Sequence, residues 1–285
     1  MPPGPRPPTD VPPLFEAERV RLLGLLSELS EADWRLPTPC PGWTVLGLAC
    51  HLLGDDFGLL ARRRDAHLGT PPPEGTDEAA FIEWLDDLQM AWVIAARRLS
   101  PRLVVELLRW TSPQLIETFR REDAGARSAR VSWAGPEPVP VWLDQLRELS
   151  EYWIHRQQLL DALGRQSDLD PGVLGPILHG LRWAYPYRLR QAPATDGHTV
   201  DIRITGPVTE RWLVVAEGGA WDFRDTPGTR IVATITMSTN DAWRLLTNNL
   251  SPEALSGIKI DGDPLIAEVL RTARAIIGQP HYRGP

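Results

Sequence analysis

The hydrophobic pattern of this chain changes period near residue 168. Up to residue 165, apolar side chains recur every three or four positions, which is the spacing of a helix that buries one face. After residue 168, short runs rich in Val and Ile alternate with turns that contain Gly or Pro, a pattern typical of β-strands. With 285 residues, the chain is long enough for two domains with separate cores. We therefore predict a helical domain over residues 14–168 and an α+β domain with an antiparallel sheet over residues 169–285, after a disordered leader at residues 1–13.

The first domain is predicted to be a helical bundle, because its amphipathic segments are joined by modest connections. Thr44 has the side chain of an N-cap and precedes the second segment. A break or kink is expected at Pro101, and the polar stretch 122–140, which contains Gly and Pro, is predicted to be a loop. The predicted helices cover residues 14–29, 45–67, 77–99, 101–122 and 141–163.

The second domain is predicted to combine a sheet with a few helices. Residues 171–190 form one helix in this prediction, Asn240 caps another over 241–249, and the last helix runs from 263 or 264 to 277. The alternating, β-branched runs that separate them are typical of strands. These strands are predicted at residues 198–204, 210–217, 220–224, 230–237 and 258–260.

Charge and composition exclude several classes of protein. The formal net charge of -7 disfavours nucleic acid as a partner, because phosphate binding needs clustered cations. No apolar run approaches the roughly 20 residues that a membrane span requires. The two cysteines, Cys40 and Cys50, are too few for a disulfide framework, and no signal peptide is recognisable. We expect a reduced cytoplasmic protein, a monomer or a homodimer, in which both thiols are small buried groups.

One pair of side chains has the spacing of metal ligands. Glu151 and His155 lie four residues apart on a predicted helix, so both project from the same face about one turn apart. A carboxylate and an imidazole in that position can bind one cation, with a third ligand from another helix. His51 is the best candidate for this third ligand, and Gly47, one turn earlier, would leave room for an ion or a cofactor.

The same spacing also has a simpler interpretation. At about 100° per residue, Glu151 and His155 point nearly opposite to the apolar stripe of their helix. A Glu–His pair on a solvated helix face would have this pattern. Alternatively, the pair could face a second packed surface, such as the carboxy-terminal domain. The sequence leaves both alternatives open.

Two sequence motifs resemble those of a known family. The first is TPCPGWTV at residues 38–45, followed by LACHL at residues 48–52. The second is EYWIHR at residues 151–156, followed by Leu163-Gly164. Together they resemble the DinB-like metal-binding bundles and, more narrowly, the mycothiol-dependent maleylpyruvate isomerase family. The resemblance implies a four-helix bundle with a smaller sterol-carrier-like carboxy-terminal domain.

The resemblance also implies a chemistry. The metal ligands of the family correspond to His51, Glu151 and His155. Zinc is the first expectation, with nickel, iron or manganese as alternatives for such a donor set. Mycothiol would be the cosubstrate and a small electrophile the substrate, in an isomerisation or an S-transfer. Trp43 would line the mouth of the site, and Asp55, one turn after His51, would orient that imidazole or add a ligand.

One departure from the family pattern bears on the substrate. Many members carry Gly-Arg after the helix that here includes Arg244, and that arginine is the expected clamp for a substrate carboxylate. This chain has Thr247-Asn248-Asn249 instead. Arg156, Arg224 and Arg244 are the candidates to replace it.

Two other functions remain open at this stage. A metal-containing ligand-binding or regulatory protein without turnover would keep the ligands and lose the clamp, as this sequence does. Metal-independent lipid carriage by the carboxy-terminal domain would require a long apolar tunnel, which the short, polar-rich strands do not favour.

Overall fold

The computed structural model describes residues 9–275, apart from residues 72, 74, 76 and 77. The described chain folds into two compact units. The helical unit contains the described residues up to Ala126 together with Pro140–Ser167. The sheet unit contains Arg127–Val139 together with the described residues from Asp168 onward. The limits of independently folding domains stay a prediction.

The helical unit has the five predicted helices. The first begins earlier than expected, so the disordered leader is wrong for residues 11–13, while residues 1–8 lie outside the described residues. Pro12 and Pro13 fit there because the N–H groups of the first helical turn have no partner within the helix. The second helix continues into one π-helical turn, Leu60–Arg64, and does not reach His67. The helices are α1 (Val11–Ser27), α2 (Val45–Leu59), α3 (Glu78–Ala96), α4 (Pro101–Arg121) and α5 (Val141–Ala162).

Within this unit, α1 packs against α4 and α5, and α2 packs against α3, α4 and α5. The approach of α3 to α2 depends on a glycine. The indole of Trp92 lies over Gly54, and its Nε1 donates a hydrogen bond of 2.7 Å to the carbonyl oxygen of Cys50. A Cβ atom at Gly54 would lie 2.5 Å from Trp92 Cδ1, which is closer than real contacts allow.

Replacing this glycine should therefore destabilise the helical unit. We expect Gly54→Ala to lower the free energy of unfolding by about 1–3 kcal/mol, because Trp92 must shift and lose its hydrogen bond. Urea unfolding followed by tryptophan fluorescence measures the change. Gly24→Ala is the matched control, since a Cβ there meets no atom within 4 Å. The control should be neutral or more stable, and equal stabilities of the two variants would contradict the proposed clash.

One buried carboxylate connects four of the helices. Arg19 on α1 donates to both carboxylate oxygens of Asp56 on α2, at 2.9 and 2.7 Å, and both side chains are almost fully buried. The hydroxyls of Thr111 on α4 and Tyr152 on α5 also donate to Asp56. Each oxygen of this carboxylate thus has a partner from another helix, as a buried charge requires.

The sheet unit contains five paired strands in the order β5-β4-β3-β6-β7. Three of the four pairs are antiparallel, as predicted, but β3 and β6 are parallel, so the predicted antiparallel sheet is wrong for this one pair. Alternation of apolar residues indicates which side chains are buried and says nothing about the direction of a neighbouring strand. The strands are β3 (His198–Thr205), β4 (Glu210–Glu217), β5 (Ala220–Arg224), β6 (Arg230–Ser238) and β7 (Lys259–Gly262).

Other elements of this unit also differ from expectation. The predicted loop at 122–140 contains a small two-stranded sheet, and the helix predicted over 171–190 is interrupted at 182–183. Ser238, rather than Asn240, caps the following helix, because its hydroxyl accepts the N–H of Asp241. The last predicted helix ends at Thr272, and residues 276 and 277 lie outside the described part. The elements are β1 (Arg127–Arg130), β2 (Pro138–Pro140), α6 (Pro171–Leu181), α7 (Ala184–Leu189), α8 (Thr239–Leu246), α9 (Pro252–Gly257) and α10 (Pro264–Thr272).

A buried carboxylate makes the stability of this sheet dependent on pH. Asp201 on β3 is fully buried and accepts hydrogen bonds from Arg203 and Arg211, at 2.7 and 2.9 Å to the same oxygen. Burial raises the pKa of Asp201, but the hydrogen bonds from Arg211 and Arg203 outweigh it and leave that pKa below its ordinary value. A lowered folded pKa contributes stability above the unfolded value, and this stability is lost as the pH falls through the folded pKa.

We therefore expect Asp201→Asn to lower the free energy of unfolding at pH 7 by about 1–3 kcal/mol. The difference from the unmodified protein should begin to shrink below about pH 4, where the carboxylate of the unfolded chain becomes protonated, and should disappear as the pH falls through the lower folded pKa. Urea unfolding at pH 7 and at pH 3 measures both effects. Asp261→Asn on β7 is the control, because its ion pair with Lys259 is largely exposed. If Asp201→Asn lowers the free energy of unfolding equally at both pH values, the lowered pKa of Asp201 is contradicted.

Candidate functional site

Two histidines from different helices meet inside the helical unit. The Nε2 atoms of His51 on α2 and His155 on α5 lie 3.1 Å apart. Both side chains are less than a tenth exposed. The start of α2 is fixed by Thr44, whose hydroxyl accepts the N–H of Gly47 at 3.3 Å, so the predicted N-cap is confirmed. The predicted proximity of positions 51 and 155 is thus present in the fold.

Two carboxylates flank this imidazole pair. Asp55 Oδ2 lies 3.2 Å from His51 Nε2, and Glu151 Oε2 lies 3.6 Å from His155 Nε2. Burial, together with the charge of Asp55, raises the pKa of Glu151 to about 8. Two carboxylates beside one imidazole pair, each exposed by no more than a quarter, attract a cation, which would offset their mutual repulsion.

Two glutamines contact the outer nitrogens of the same rings. Gln89 Oε1 on α3 lies 3.1 Å from His51 Nδ1, and Gln158 Oε1 on α5 lies 2.7 Å from His155 Nδ1. The sequence analysis missed both residues. Gln158 follows His155 at a spacing of three on the same helix, a signal that could have identified it. Gln89 has no such signal, because only the packing of α3 on α2 brings it to the site.

Trp43 lies beside His51, and its place at the mouth of the site stays a prediction. Its ring packs against the imidazole of His51, with 4.8 Å between the centroids. A Cβ atom at Gly47 would make ordinary contacts with Trp43 and Val93, 3.5 and 3.6 Å away, so the packing there would accommodate an alanine. The expectation that Gly47 leaves room for an ion stays a prediction.

The distances between these donor atoms can be compared with the distances between the ligands of a bound metal ion. Two ligands at zinc-like bond lengths in tetrahedral geometry are about 3.3 Å apart. The donor pairs on the two helices, at 3.1, 3.2 and 3.6 Å, are close to that separation. Within the described residues, no group of three or more His, Cys, Asp or Glu side chains meets the geometry of a formed metal site. The imidazoles would have to separate by a few tenths of an ångström to admit an ion, and the donor chemistry fits one.

The solvated-face interpretation of Glu151 and His155 is wrong for His155. The helix α5 is buried on nearly all sides, since it packs against both α1 and α2. The side opposite its apolar stripe therefore faces α2 and not water. Glu151 keeps a quarter of its side chain exposed, which leaves one edge of the donor set open to solvent.

Residues 15–160 match the family described as the mycothiol maleylpyruvate isomerase N-terminal domain. The chain belongs to this family. The matched segment includes His51, Asp55, Gln89, Glu151 and His155, and it ends before the sheet unit's main part begins. Family membership thus covers every side chain of the site described above.

Relatives and solved structures agree with this assignment. Uncharacterized proteins from two strains of Mycobacterium tuberculosis, CDC 1551 and H37Rv, are each 27% identical over 278 residues, which is 93% of this chain and 95% of theirs. Crystal structures of a mycothiol-dependent maleylpyruvate isomerase and of its histidine-to-alanine mutant superpose with TM-scores of 0.53 and 0.52. Both are 16% identical, and the match covers 89% of this chain and 92% of theirs. At this identity, the likeness shows a shared fold that combines helices with a sheet.

The three candidate arginines of this family member lie in different surroundings. Arg156 is buried and donates to both carboxylate oxygens of Glu18, at 2.5 and 2.9 Å. Arg224 on β5 pairs with two acidic neighbours, Glu217 and Asp222. Arg244 on α8 lies over the ring of Trp243, 4.4 Å from its centroid. A role for any of them in binding substrate stays a prediction.

Both cysteines of this family member are buried, as predicted. Burial raises the pKa of Cys40 to about 12 and that of Cys50 to about 11. The Cys40 thiol donates to Gln158 Oε1 at 3.1 Å. Since the thiolate is the reactive form of cysteine, neither residue is an activated nucleophile near neutral pH. The protein's own thiols therefore have structural roles.

This assignment predicts that Cys40 is unreactive in the folded protein. In a Cys50→Ala variant at pH 8, we expect iodoacetamide to alkylate Cys40 at least about 100-fold more slowly than in the same variant unfolded in urea. The raised pKa keeps the thiol protonated, and burial blocks access. Mass spectrometry over time gives both rates. Similar rates in the folded and unfolded protein would show that the thiol is exposed and ionised.

Proposed function

We propose that this protein is a metal-dependent enzyme that uses mycothiol for isomerisation or S-transfer on a small electrophilic substrate. The observation that carries the proposal is the contact of 3.1 Å between His51 Nε2 and His155 Nε2, with Glu151 and Asp55 beside it. Membership of the mycothiol maleylpyruvate isomerase N-terminal domain family supports the choice of cosubstrate. The fold shared with a mycothiol-dependent maleylpyruvate isomerase supports the choice of reaction.

In this proposal, His51, Glu151 and His155 hold the divalent ion. A bound zinc-like ion with three protein ligands would keep an open position and favour the thiolate form of a cosubstrate thiol. Zinc is the first choice, and nickel, iron or manganese would suit the same donors. Asp55 helps to orient His51, or adds a carboxylate oxygen as a fourth ligand. The DinB-like four-helix bundle and the sterol-carrier-like nature of the sheet unit are parts of the same proposal.

The chain's own residues would perform three tasks. The exposed edge at Glu151 gives small molecules a way into the site. Trp43 limits the site on the side of His51 through its ring contact. The surrounding helices exclude bulk water from the imidazoles, which are less than a tenth exposed. Exclusion of water protects a reactive thiolate and strengthens the electrostatic interactions that bind it.

The chemistry of a thiol explains why two reactions share one site. Addition of S–H across a carbon–carbon double bond forms a carbon–sulfur bond and a carbon–hydrogen bond. Rotation about the resulting single bond, followed by loss of the same thiol, returns the alkene as its other geometric isomer. If the thiol is not lost, the product is a conjugate. We expect isomerisation or conjugation to follow from which substrate binds, in a reduced cytoplasmic setting.

A specific observation favours a second candidate, a metal-containing ligand-binding or regulatory protein without turnover. Arg156 forms an ion pair with Glu18, and this chain has Thr247-Asn248-Asn249 where the family pattern has Gly-Arg with its clamping arginine. A protein that binds metal and thiol without a dicarboxylate substrate would need no such clamp. Turnover with mycothiol distinguishes the two candidates.

The metal site is tested by His51→Ala and His155→Ala. We expect the unmodified protein, purified without chelators, to contain about one divalent ion per chain and each variant to contain less than about a tenth of that, because loss of one ligand removes a large share of the affinity. Elemental analysis by plasma mass spectrometry gives the ratio. His67→Ala is the matched control, since His67 is an exposed histidine of the same unit.

The enzyme assignment is tested on the same proteins. Mycothiol-dependent isomerisation of maleylpyruvate and conjugation of mycothiol to a small electrophile should both require the metal. Loss of metal without loss of thiol-dependent activity would eliminate the metal-dependent enzyme. Stoichiometric metal with no activity in either assay would favour the non-catalytic candidate.

A further inference from the structure

The hydrogen bonds of Gln89 determine which nitrogen of His51 carries a proton. Gln89 Nε2 donates to Asp55 Oδ1 at 3.1 Å, because a carboxylate can only accept. This orientation turns Gln89 Oε1 toward His51 Nδ1, at 3.1 Å. An amide oxygen can only accept, so Nδ1 must be the donor and must carry the hydrogen. In the neutral ring, His51 Nε2 then carries the lone pair, and this atom faces both His155 Nε2 at 3.1 Å and the Asp55 carboxylate at 3.2 Å.

Gln158 imposes the same tautomer on His155. Two groups converge on its Oε1, the thiol of Cys40 at 3.1 Å and His155 Nδ1 at 2.7 Å. The thiol donates to the amide oxygen of Gln158, so the oxygen and not the amide nitrogen lies at this point. His155 Nδ1 must therefore donate. Its Nε2 atom, like that of His51, presents a lone pair to the space between α2 and α5.

Two lone pairs that face each other at 3.1 Å, beside a carboxylate oxygen 3.2 Å from one of them, repel unless a positive charge, either a proton or a metal ion, lies between them. We infer that Gln89 and Gln158 are positioning residues which hold both imidazoles as Nδ1–H tautomers, so that the two Nε2 atoms are donors to one divalent cation. The inference rests on the proposed function, since it concerns the same site. It adds α3, through Gln89, to the two helices that supply the ligands.

The arrangement also assigns two roles to Asp55. One oxygen accepts from Gln89 and so fixes the amide, while the other lies 3.2 Å from His51 Nε2. The Asp55 carboxylate, the Gln89 amide and the His51 imidazole thus form a closed ring of three contacts. An outer residue that fixes the tautomer of a ligating histidine in this way strengthens the metal site without touching the ion.

A purely structural role would give the same contacts. Each glutamine would then only satisfy a buried ring N–H, and its loss would reduce stability and leave the affinity for metal unchanged. The two roles are separated by Gln89→Met and Gln158→Met, which keep the length of the side chain and remove the acceptor. Gln145→Met is the matched control, because Gln145 is a buried glutamine of α5 that donates to Phe119 O and Glu122 and does not contact the histidines.

The experiment measures the affinity of the full chain for Zn²⁺ by competition with a chromophoric chelator. We expect each of the two test variants to bind zinc about 10–100-fold more weakly than the unmodified protein. The control should lose stability and keep the unmodified affinity. Nitrogen-15 NMR of the zinc-loaded unmodified protein should show protonated Nδ1 on both histidines, with slow exchange of that proton, and the exchange should become fast at the affected ring in each variant.

The outcomes separate this inference from the proposed function. Unchanged zinc affinity in both test variants, or zinc bound to Nδ1 of either histidine, would overturn the inference and leave the metal site intact. A tenfold or greater loss in the Gln145→Met control would also overturn it, because the effect would then follow stability. Failure of the unmodified protein to bind zinc or any of the other proposed ions would overturn the proposed function, and this inference with it.

Discussion

The polar side of α5 is buried, and the rest of the helical unit is arranged around that constraint. A folded protein loses stability when a polar group is removed from water and has no hydrogen-bond partner. On α5, Arg156 donates to Glu18 of α1, and Gln145 donates to the carbonyl oxygen of Phe119 of α4. The Nε2 atom of His155 contacts that of His51 on α2. These contacts fix the rotation of α5 about its axis and its position along that axis relative to α1, α2 and α4. A site that needs two side chains from α5 opposite one from α2 depends on this fixed geometry.

The polar contacts in this core fall into two classes. In the ion pairs Arg19–Asp56 and Glu18–Arg156, each carboxylate faces an arginine of another helix, so the charges are already balanced. At the histidines, two imidazoles meet two carboxylates, and the raised pKa of Glu151 reflects burial and excess negative charge. This second set would be completed by a cation. The contrast between balanced pairs and an unbalanced set is the electrostatic reason to locate function at the histidines.

Family membership and site geometry constrain different parts of the proposal. The family match covers the helical unit and supports the thiol cosubstrate, but it does not identify this chain's substrate. In the proposed function, a substrate other than the family's dicarboxylate would fit this chain, which has Thr247-Asn248-Asn249 in place of Gly-Arg and an Arg156 that is paired with Glu18. In this proposal, the means of holding the thiol is retained while the region that binds the substrate has changed.

The sequence by itself determined the helices and most strands, the N-cap at Thr44, and the common face of Glu151 and His155, because these depend on neighbours within a few residues. The motifs also selected His51, whose Nε2 lies 3.1 Å from that of His155 in the fold. Only the tertiary structure decided that the polar side of α5 is buried, that β3 and β6 run parallel, and that Gln89 reaches His51. Each of these depends on contacts between residues far apart in the chain, and a pattern of local spacing carries no information about which distant surface will cover it.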